Sequence, residues 1–136
     1  MAEQRPDRVL GAPHDSFWQW CERGELRLQK CAGCGEINWP AVASCEQCGS
    51  PSLEWQRMSG FGRIASWCTF DKDYYAGVLP MPWTNILVEL AEGTWFLSEP
   101  RGIPLDRITA DMPVRVAFHR CRDGHGEFNL PVFEPA

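Results

Sequence analysis

Four cysteines set the chemistry of this chain. Residues 31–49 read C-A-G-C-G-E-I-N-W-P-A-V-A-S-C-E-Q-C-G, two Cys-x-x-Cys-Gly units with ten residues between Cys34 and Cys45. In each unit a tight turn aims two thiols at one spot, and Gly35 and Gly49 let the backbone pass close to sulfur. Four thiolates suit a tetrahedral ion with ligands at about 2.3 Å. With Cys31, Cys34, Cys45 and Cys48 all bound, no position stays open for water or substrate. We therefore expect one structural zinc ion, whose binding free energy is folding free energy. Two disulfides are the alternative for the cysteines, and iron in a rubredoxin-type centre is the alternative for the metal.

Other chemistry is sparse. His14, His119 and His125 lie far apart, and no Gly-rich phosphate loop, nucleophile elbow or His-Glu-x-x-His motif occurs. Cys68 and Cys121 are expected as buried strand residues with no base beside them. No catalytic residue is assigned. The net charge is −5 and no basic run appears, which argues against phosphate-backbone binding as the main task. Arg115, His119, Arg120 and Arg122 either form a local basic patch or a solvated strand face. A single-strand nucleic-acid-binding module is kept as the alternative function, because zinc ribbons and OB barrels both serve it. No apolar run approaches the roughly 20 residues of a membrane span, and residues 1–15 are polar and proline-containing. A reducing cytoplasm is the expected location.

The elements that must position these groups follow from pattern. Residues 1–12 read as a mobile or docked tail. Asp15 or Ser16 can cap a short helix carrying Phe17, Trp18, Trp20 and Cys21, with Gly24 as its stop. Those aromatics cover more than one face, so they either meet a partner or cover the metal module. Short strands flank the cysteines at Glu25–Lys30, with Leu26 and Leu28 on one side, and at Leu53–Trp55.

From Met58 the texture is all-β. Gly60 and Gly62 around Phe61 mark a bulge or sharp coil in the first strand. Strands follow at residues 63–70, 84–90 (Ile86, Val88 and Leu90 inward), 94–98, 113–120 and 128–133, with turns at Glu92-Gly93 and residues 123–126 and a helical turn at 104–108. Five strands in under eighty residues suit an OB-type barrel. The fold class is mainly β, in three parts: a tail and helix over 1–27, a zinc ribbon over 28–57, and a barrel over 58–136. Residues 71–83, D-K-D-Y-Y-A-G-V-L-P-M-P-W, are too long and too apolar for a plain connector. They form a lid or face a partner or apolar ligand, and we favour contact. Phe17, Trp18, Trp20, Tyr74, Tyr75, Leu79, Met81 and Trp83 are the candidate contact residues.

The order of these pieces resembles one family. Phe17-Trp18, Gly24-x-Leu26, the doubled Cys-x-x-Cys-Gly, Ser59-Gly60-x-Gly62, Leu87-Val88-Glu89-Leu90-x-Glu92-Gly93, Met112-Pro113-Val114-x-Val116-x-Phe118, Asp123-Gly124 and Leu130-Pro131-x-Phe133-x-Pro135 carry the likeness. The family is that of zinc-ribbon (rubredoxin-like)/OB-fold proteins associated with thiolases and acyl-CoA metabolism, long described as a domain of unknown function. The resemblance implies a non-catalytic accessory subunit in a hetero-oligomer with a thiolase-fold enzyme, a ketothiolase, acyltransferase or aldolase. It would help assemble the complex and shape the acyl-CoA channel, so acyl-CoA is a possible contact, whereas nucleic acid and membrane are not expected. The family often places a proline-arginine pair before the third cysteine. Here Pro40 is followed by Ala41-Val42-Ala43-Ser44.

Overall fold

A computed structural model describes residues 2–136. Its one α-helix among those residues, α1 (His14–Glu22), buries Phe17 and Cys21, one turn apart on the same face. The helix starts one residue before the expected cap. Neither Asp15 nor Ser16 caps it: Pro13 holds the N-cap position, and the Asp15 carboxylate reaches back to accept from the Gly11 N–H at 2.9 Å. Gly24 does end it. Its φ is +73°, the Gly24 N–H donates to Cys21 O and the Glu25 N–H donates to Trp20 O. That paired arrangement satisfies two otherwise orphaned carbonyls.

Two sheets follow. The smaller is antiparallel with order β3-β2-β4, built from β2 (Arg27–Cys31), β3 (Ile37–Asn38) and β4 (Leu53–Arg57). Leu26 and Leu28 are fully buried beneath it. The larger sheet contains β5 (Phe61–Phe70), β6 (Trp83–Leu90), β7 (Trp95–Ser98), β8 (Pro113–Asp123) and β9 (Gly126–Pro135), with a short helical turn at Leu105–Arg107 before β8. β5 pairs β6 on one side and the start of β8 on the other, and β9 pairs β8 along its whole length. This is the expected five-stranded OB arrangement. The closing seam is not a ladder. Past the end of β7 the Phe133 N–H donates to Glu99 O at 3.1 Å and the Arg101 N–H donates to Phe133 O at 2.8 Å, around one parallel bridge between Pro100 and Phe133.

The tail is docked, and it adds a strand the sequence did not announce. β1 (Glu3–Gln4) runs parallel to β8, opposite Cys121 and Arg122, on the edge that β5 leaves free. The expected bulge also sits elsewhere than at the glycines. The register shifts between Ile64 and Ser66, whereas Gly60 and Gly62 allow close approach. A Cβ at Gly60 would lie 2.6 Å from Val116 Cγ1, and one at Gly62 would lie 2.6 Å from Glu89 O. Burying Ile86, Val88 and Leu90 inward, as their alternation predicts, gives the barrel its centre. One apolar cluster runs without a break from Phe17, Leu26 and Leu28 through Met58 and Ile64 to Phe96, Val114 and Phe133. Helix, ribbon and barrel therefore share a core.

Candidate functional site

The two cysteine knuckles have the same backbone plan. The Cys31 N–H donates to Glu36 O and the Gly35 N–H to Cys31 O, both at 2.9 Å; the Cys45 N–H donates to Ser50 O and the Gly49 N–H to Cys45 O, both at 2.8 Å. Gly35 and Gly49 have φ of +80° and +78°, a region open to glycine at no steric cost. β2 delivers Cys31 at its last residue, and its Gln29 side chain fixes the second half of the module. That buried amide accepts from the Val42 N–H at 2.8 Å and donates to Val42 O at 2.9 Å. The Ala41-Val42-Ala43-Ser44 stretch is thereby held against β2 as a strand would be.

The four Sγ atoms lie within 4.8 Å of one another, with Cys31 to Cys48 at 3.5 Å and Cys34 to Cys45 at 3.6 Å. A tetrahedron of thiolates on zinc sets sulfur–sulfur separations of roughly 3.8 Å, so the cluster fits one ion without rearrangement. All seven cysteines are free, which removes the disulfide reading. Donors surround the sulfurs. The Cys34 N–H points at Cys31 Sγ at 3.5 Å, and the Asn38 side-chain amide donates to Cys45 Sγ at 3.5 Å while its oxygen accepts from the Glu46 N–H at 3.0 Å. The Asn38 amide holds the Cys45 thiol down at about 6, and the Cys34 N–H lowers that of Cys31. Cys31 and Cys45 are thus readied to bind as thiolates. Cys34, pushed up to about 12 by desolvation and its sulfur neighbours, and Cys48, raised by Cys31, must release protons on binding. A zinc ion held by all four sulfurs would have a full coordination sphere, and would serve structure rather than catalysis.

The aromatic residues divide between interior and surface. Phe17 is 3% exposed, with its ring 4.4 Å from that of Trp39. Trp18 meets Phe128 edge-on at 5.3 Å and lies under the Arg8 guanidinium. The Arg27 guanidinium sits 3.8 Å above the Trp20 ring and donates to Trp55 O, tying the helix to β4. The helix aromatics therefore serve mainly their own chain. The 71–83 segment is mixed. Leu79 is 6% exposed and turned inward, Met81 is half-buried, and Trp83 is half-buried beneath Arg5. The tip stands out: Tyr74 and Tyr75 are 65% and 44% exposed, on a turn fixed by Asp73 accepting from the Tyr75 and Gly77 N–H groups. The segment is lid at one end and protrusion at the other.

Elsewhere the structure amends one expectation and decides another. Cys121 is buried, and burial pushes its thiol up to about 11, but Cys68 is exposed on the outer face of β5. Of the two readings for the basic groups of β8, the solvated strand face holds rather than the patch: Arg122 is exposed, and among the described residues it alone of the β8 arginines has no ion pair. Arg115 pairs with Glu134, Arg120 with Glu22 and Glu127, and His119 lies against Arg101. Asn38 and the ionic groups that dock the tail gave no sequence signal; their partners are distant in the chain. Among the described residues no helix is long and apolar enough to cross a membrane.

Comparison with known proteins agrees with this architecture. Residues 18–54 match the family "ChsH2, rubredoxin-like zinc ribbon domain", and residues 55–119 match "ChsH2, C-terminal OB-fold domain". The chain is 30% identical to a probable enoyl-CoA hydratase alpha subunit of Thermomonospora curvata, over 98% of this chain and 42% of the relative. It is 32% identical to the 3-oxo-4,17-pregnadiene-20-carboxyl-CoA hydratase alpha subunit of Mycobacterium tuberculosis, over 88% of this chain and 36% of the relative. It therefore spans less than half the length of these curated relatives. Among solved structures, a chain of an Ltp2–ChsH2(DUF35) aldolase superposes with a TM-score of 0.82 at 27% identity, covering 95% of this chain and 98% of that one. A DUF35 protein of unknown function from Sulfolobus solfataricus shares the fold, with a TM-score of 0.58 at 18% identity and 78% coverage of both chains.

Proposed function

The chain belongs to the ChsH2 zinc-ribbon/OB-fold family, and from that membership we propose that it is a non-catalytic accessory subunit of a thiolase-superfamily enzyme complex acting on acyl-CoA or acyl substrates. The observation that carries the reading is the likeness, over nearly the full length of both chains, to a component of an Ltp2–ChsH2(DUF35) aldolase. In this reading Cys31, Cys34, Cys45 and Cys48 hold one zinc ion that makes the ribbon rigid. The chain docks on a thiolase-fold partner as a hetero-oligomer and shapes the passage to the partner's active site. The exposed Tyr74 and Tyr75, on a turn held by Asp73, are apolar groups offered on a preorganised base. We place the chain in a reducing cytoplasm, where the four metal-binding thiolates and the remaining three cysteines stay reduced.

The test is affinity capture of the tagged chain from its native host, with the partner identified by mass spectrometry. A thiolase-superfamily polypeptide co-eluting at fixed stoichiometry is expected. Elution of this chain alone, or turnover of an acyl-CoA by this chain unaided, would overturn the proposal. Changing both Tyr74 and Tyr75 to Ser is expected to weaken the complex by about tenfold or more while leaving the melting temperature of the free chain unchanged.

A further inference from the structure

Between β1, the second half of the 71–83 segment and the residues after β7 lies a cavity of about 390 Å³ with two unlike walls. One wall is apolar, from Val78, Leu79, Pro82 and Trp83. The other is ionic, from Glu3, Arg5, Glu99 and Arg101. Glu99 is 4% exposed and accepts from Arg5 Nη1 at 2.9 Å and from Arg101 Nη2 at 3.1 Å. Arg101 also forks onto Glu3, Nη1 to Oε1 at 3.0 Å and Nη2 to Oε2 at 2.9 Å. Its Nη1 faces His119 Nδ1 at 3.3 Å, and the Arg5 guanidinium lies 4.8 Å from the centre of the Trp83 ring.

Two arginines are matched by two carboxylates, but the two carboxylates are not equivalent. The Glu99 side chain is 6% exposed and sits beside the seam of the barrel. The Glu3 side chain is 47% exposed and belongs to a strand of two residues. Withdrawing Glu3 leaves Arg101 Nη1 without a carboxylate and Nη2 with Glu99 alone, hence one uncompensated positive charge in a cavity that Val78, Leu79, Pro82 and Trp83 also line. A planar fork binds a carboxylate through two parallel hydrogen bonds, a geometry that a point charge does not reproduce. The apolar wall adds area for a hydrocarbon stem.

We propose that this cavity is a binding site for a carboxylate carried on a short apolar stem, and that Glu3 is an internal stand-in which occupies the Arg101 fork until such a ligand displaces it. The site is complete within this one chain, so it is independent of the accessory-subunit reading and is measured without a partner. A ligand must compete with Glu3, and its apparent affinity falls by the fraction of time the fork is free.

The experiment is calorimetric titration of the zinc-loaded full chain with hexanoate, alongside hexan-1-ol and inorganic phosphate, with the Trp83 indole N–H followed by NMR. Glu3→Gln removes the competing charge with little change of shape. It is expected to bind hexanoate about tenfold more tightly than the unaltered chain, with the Trp83 signal shifting, and hexan-1-ol and phosphate are expected to bind far less. Arg101→Leu should abolish hexanoate binding. Should that variant fail to fold, because it leaves buried Glu99 short of a partner, Arg101→Lys replaces it: charge stays, the fork goes, and hexanoate binding is expected to drop. Equal hexanoate affinity in Glu3→Gln and the unaltered chain would overturn the proposal. So would hexan-1-ol or phosphate binding as tightly as hexanoate, or undiminished hexanoate binding by Arg101→Lys.

Discussion

At the scale of single residues, Asn38 and the glycines Gly60 and Gly62 around the start of β5 carry the sharpest consequences. Asn38 spends its amide on Cys45 Sγ and its oxygen on the Glu46 N–H, so it orients a metal-binding thiol through both ends. Asn38→Ala is expected to lower zinc affinity by about 10- to 100-fold without unfolding the loaded chain, as chelator competition would measure. Gly62 has no room for a methyl group, because Glu89 O and Val88 Cγ1 already stand at 2.6 and 2.7 Å from where a Cβ would be. Gly62→Ala should destabilise by about 1–3 kcal/mol, read from the denaturant midpoint at unchanged slope. The cysteines were legible in the sequence because a metal knuckle is local: four neighbouring residues make the turn and supply two ligands. Asn38 was not, because its role depends on a fold that brings it against Cys45. The glycines were legible as a pair marking a bulge or sharp coil; they serve close approach instead, and the register shift falls further along β5, between Ile64 and Ser66.

At the scale of elements, the leading segment is the part that sequence described least. It binds through groups distant in the chain, Arg5 to Glu99 and Arg8 to Asp123, separations of 94 and 115 residues that no local pattern encodes. Arg8 gives its backbone N–H and both Nε and Nη2 to Asp123, whose side chain is fully buried, and its guanidinium lies 4.1 Å over the Phe128 ring. Burial opposes the charge on Asp123, but Arg8 and the His125 N–H hold its carboxyl well below the usual carboxylate range. Such a depressed group contributes stability that is fully present above the unfolded value near 3.9 and fades only as pH falls through the lower folded value. The strap is therefore expected to stay docked at pH 4 and to release only in stronger acid, as amide exchange at Arg5, donor to Arg122 O, would report. Arg8→Ala strands a buried carboxylate, and a loss of about 3–5 kcal/mol is expected in denaturant unfolding. Helix α1 was legible in type and in its stop. Its start was not, because Pro13 takes the place where a side-chain cap was sought.

At the scale of the whole molecule, the five barrel strands and the ribbon were readable from alternation, glycine turns and cysteine spacing. Their fusion into one core was not, since Phe17, Leu28 and Phe133 meet only in three dimensions. That fusion decides how the protein responds to loss of its ion. Structural zinc contributes about 10–16 kcal/mol in isolated modules, as much as the entire stability of a typical domain, about 5–15 kcal/mol. Chelation is expected to unfold the ribbon and to lower the melting temperature of the barrel with it, with far-ultraviolet dichroism and tryptophan fluorescence falling in one transition. A barrel transition unmoved by chelation would mean that the shared apolar cluster does not couple the two sheets. The joint beyond β7 has a different consequence. Two backbone hydrogen bonds hold it, a net contribution of roughly 1–3 kcal/mol, against the long β5–β6 and β8–β9 ladders. Thermal fluctuation thus has a fixed line of weakness to follow, and deuterium should enter at Arg101 and Phe133 well before it reaches the middle of β6. Because Glu99 and Arg101 flank that line, each such breath also changes the width of the charged crevice next to it.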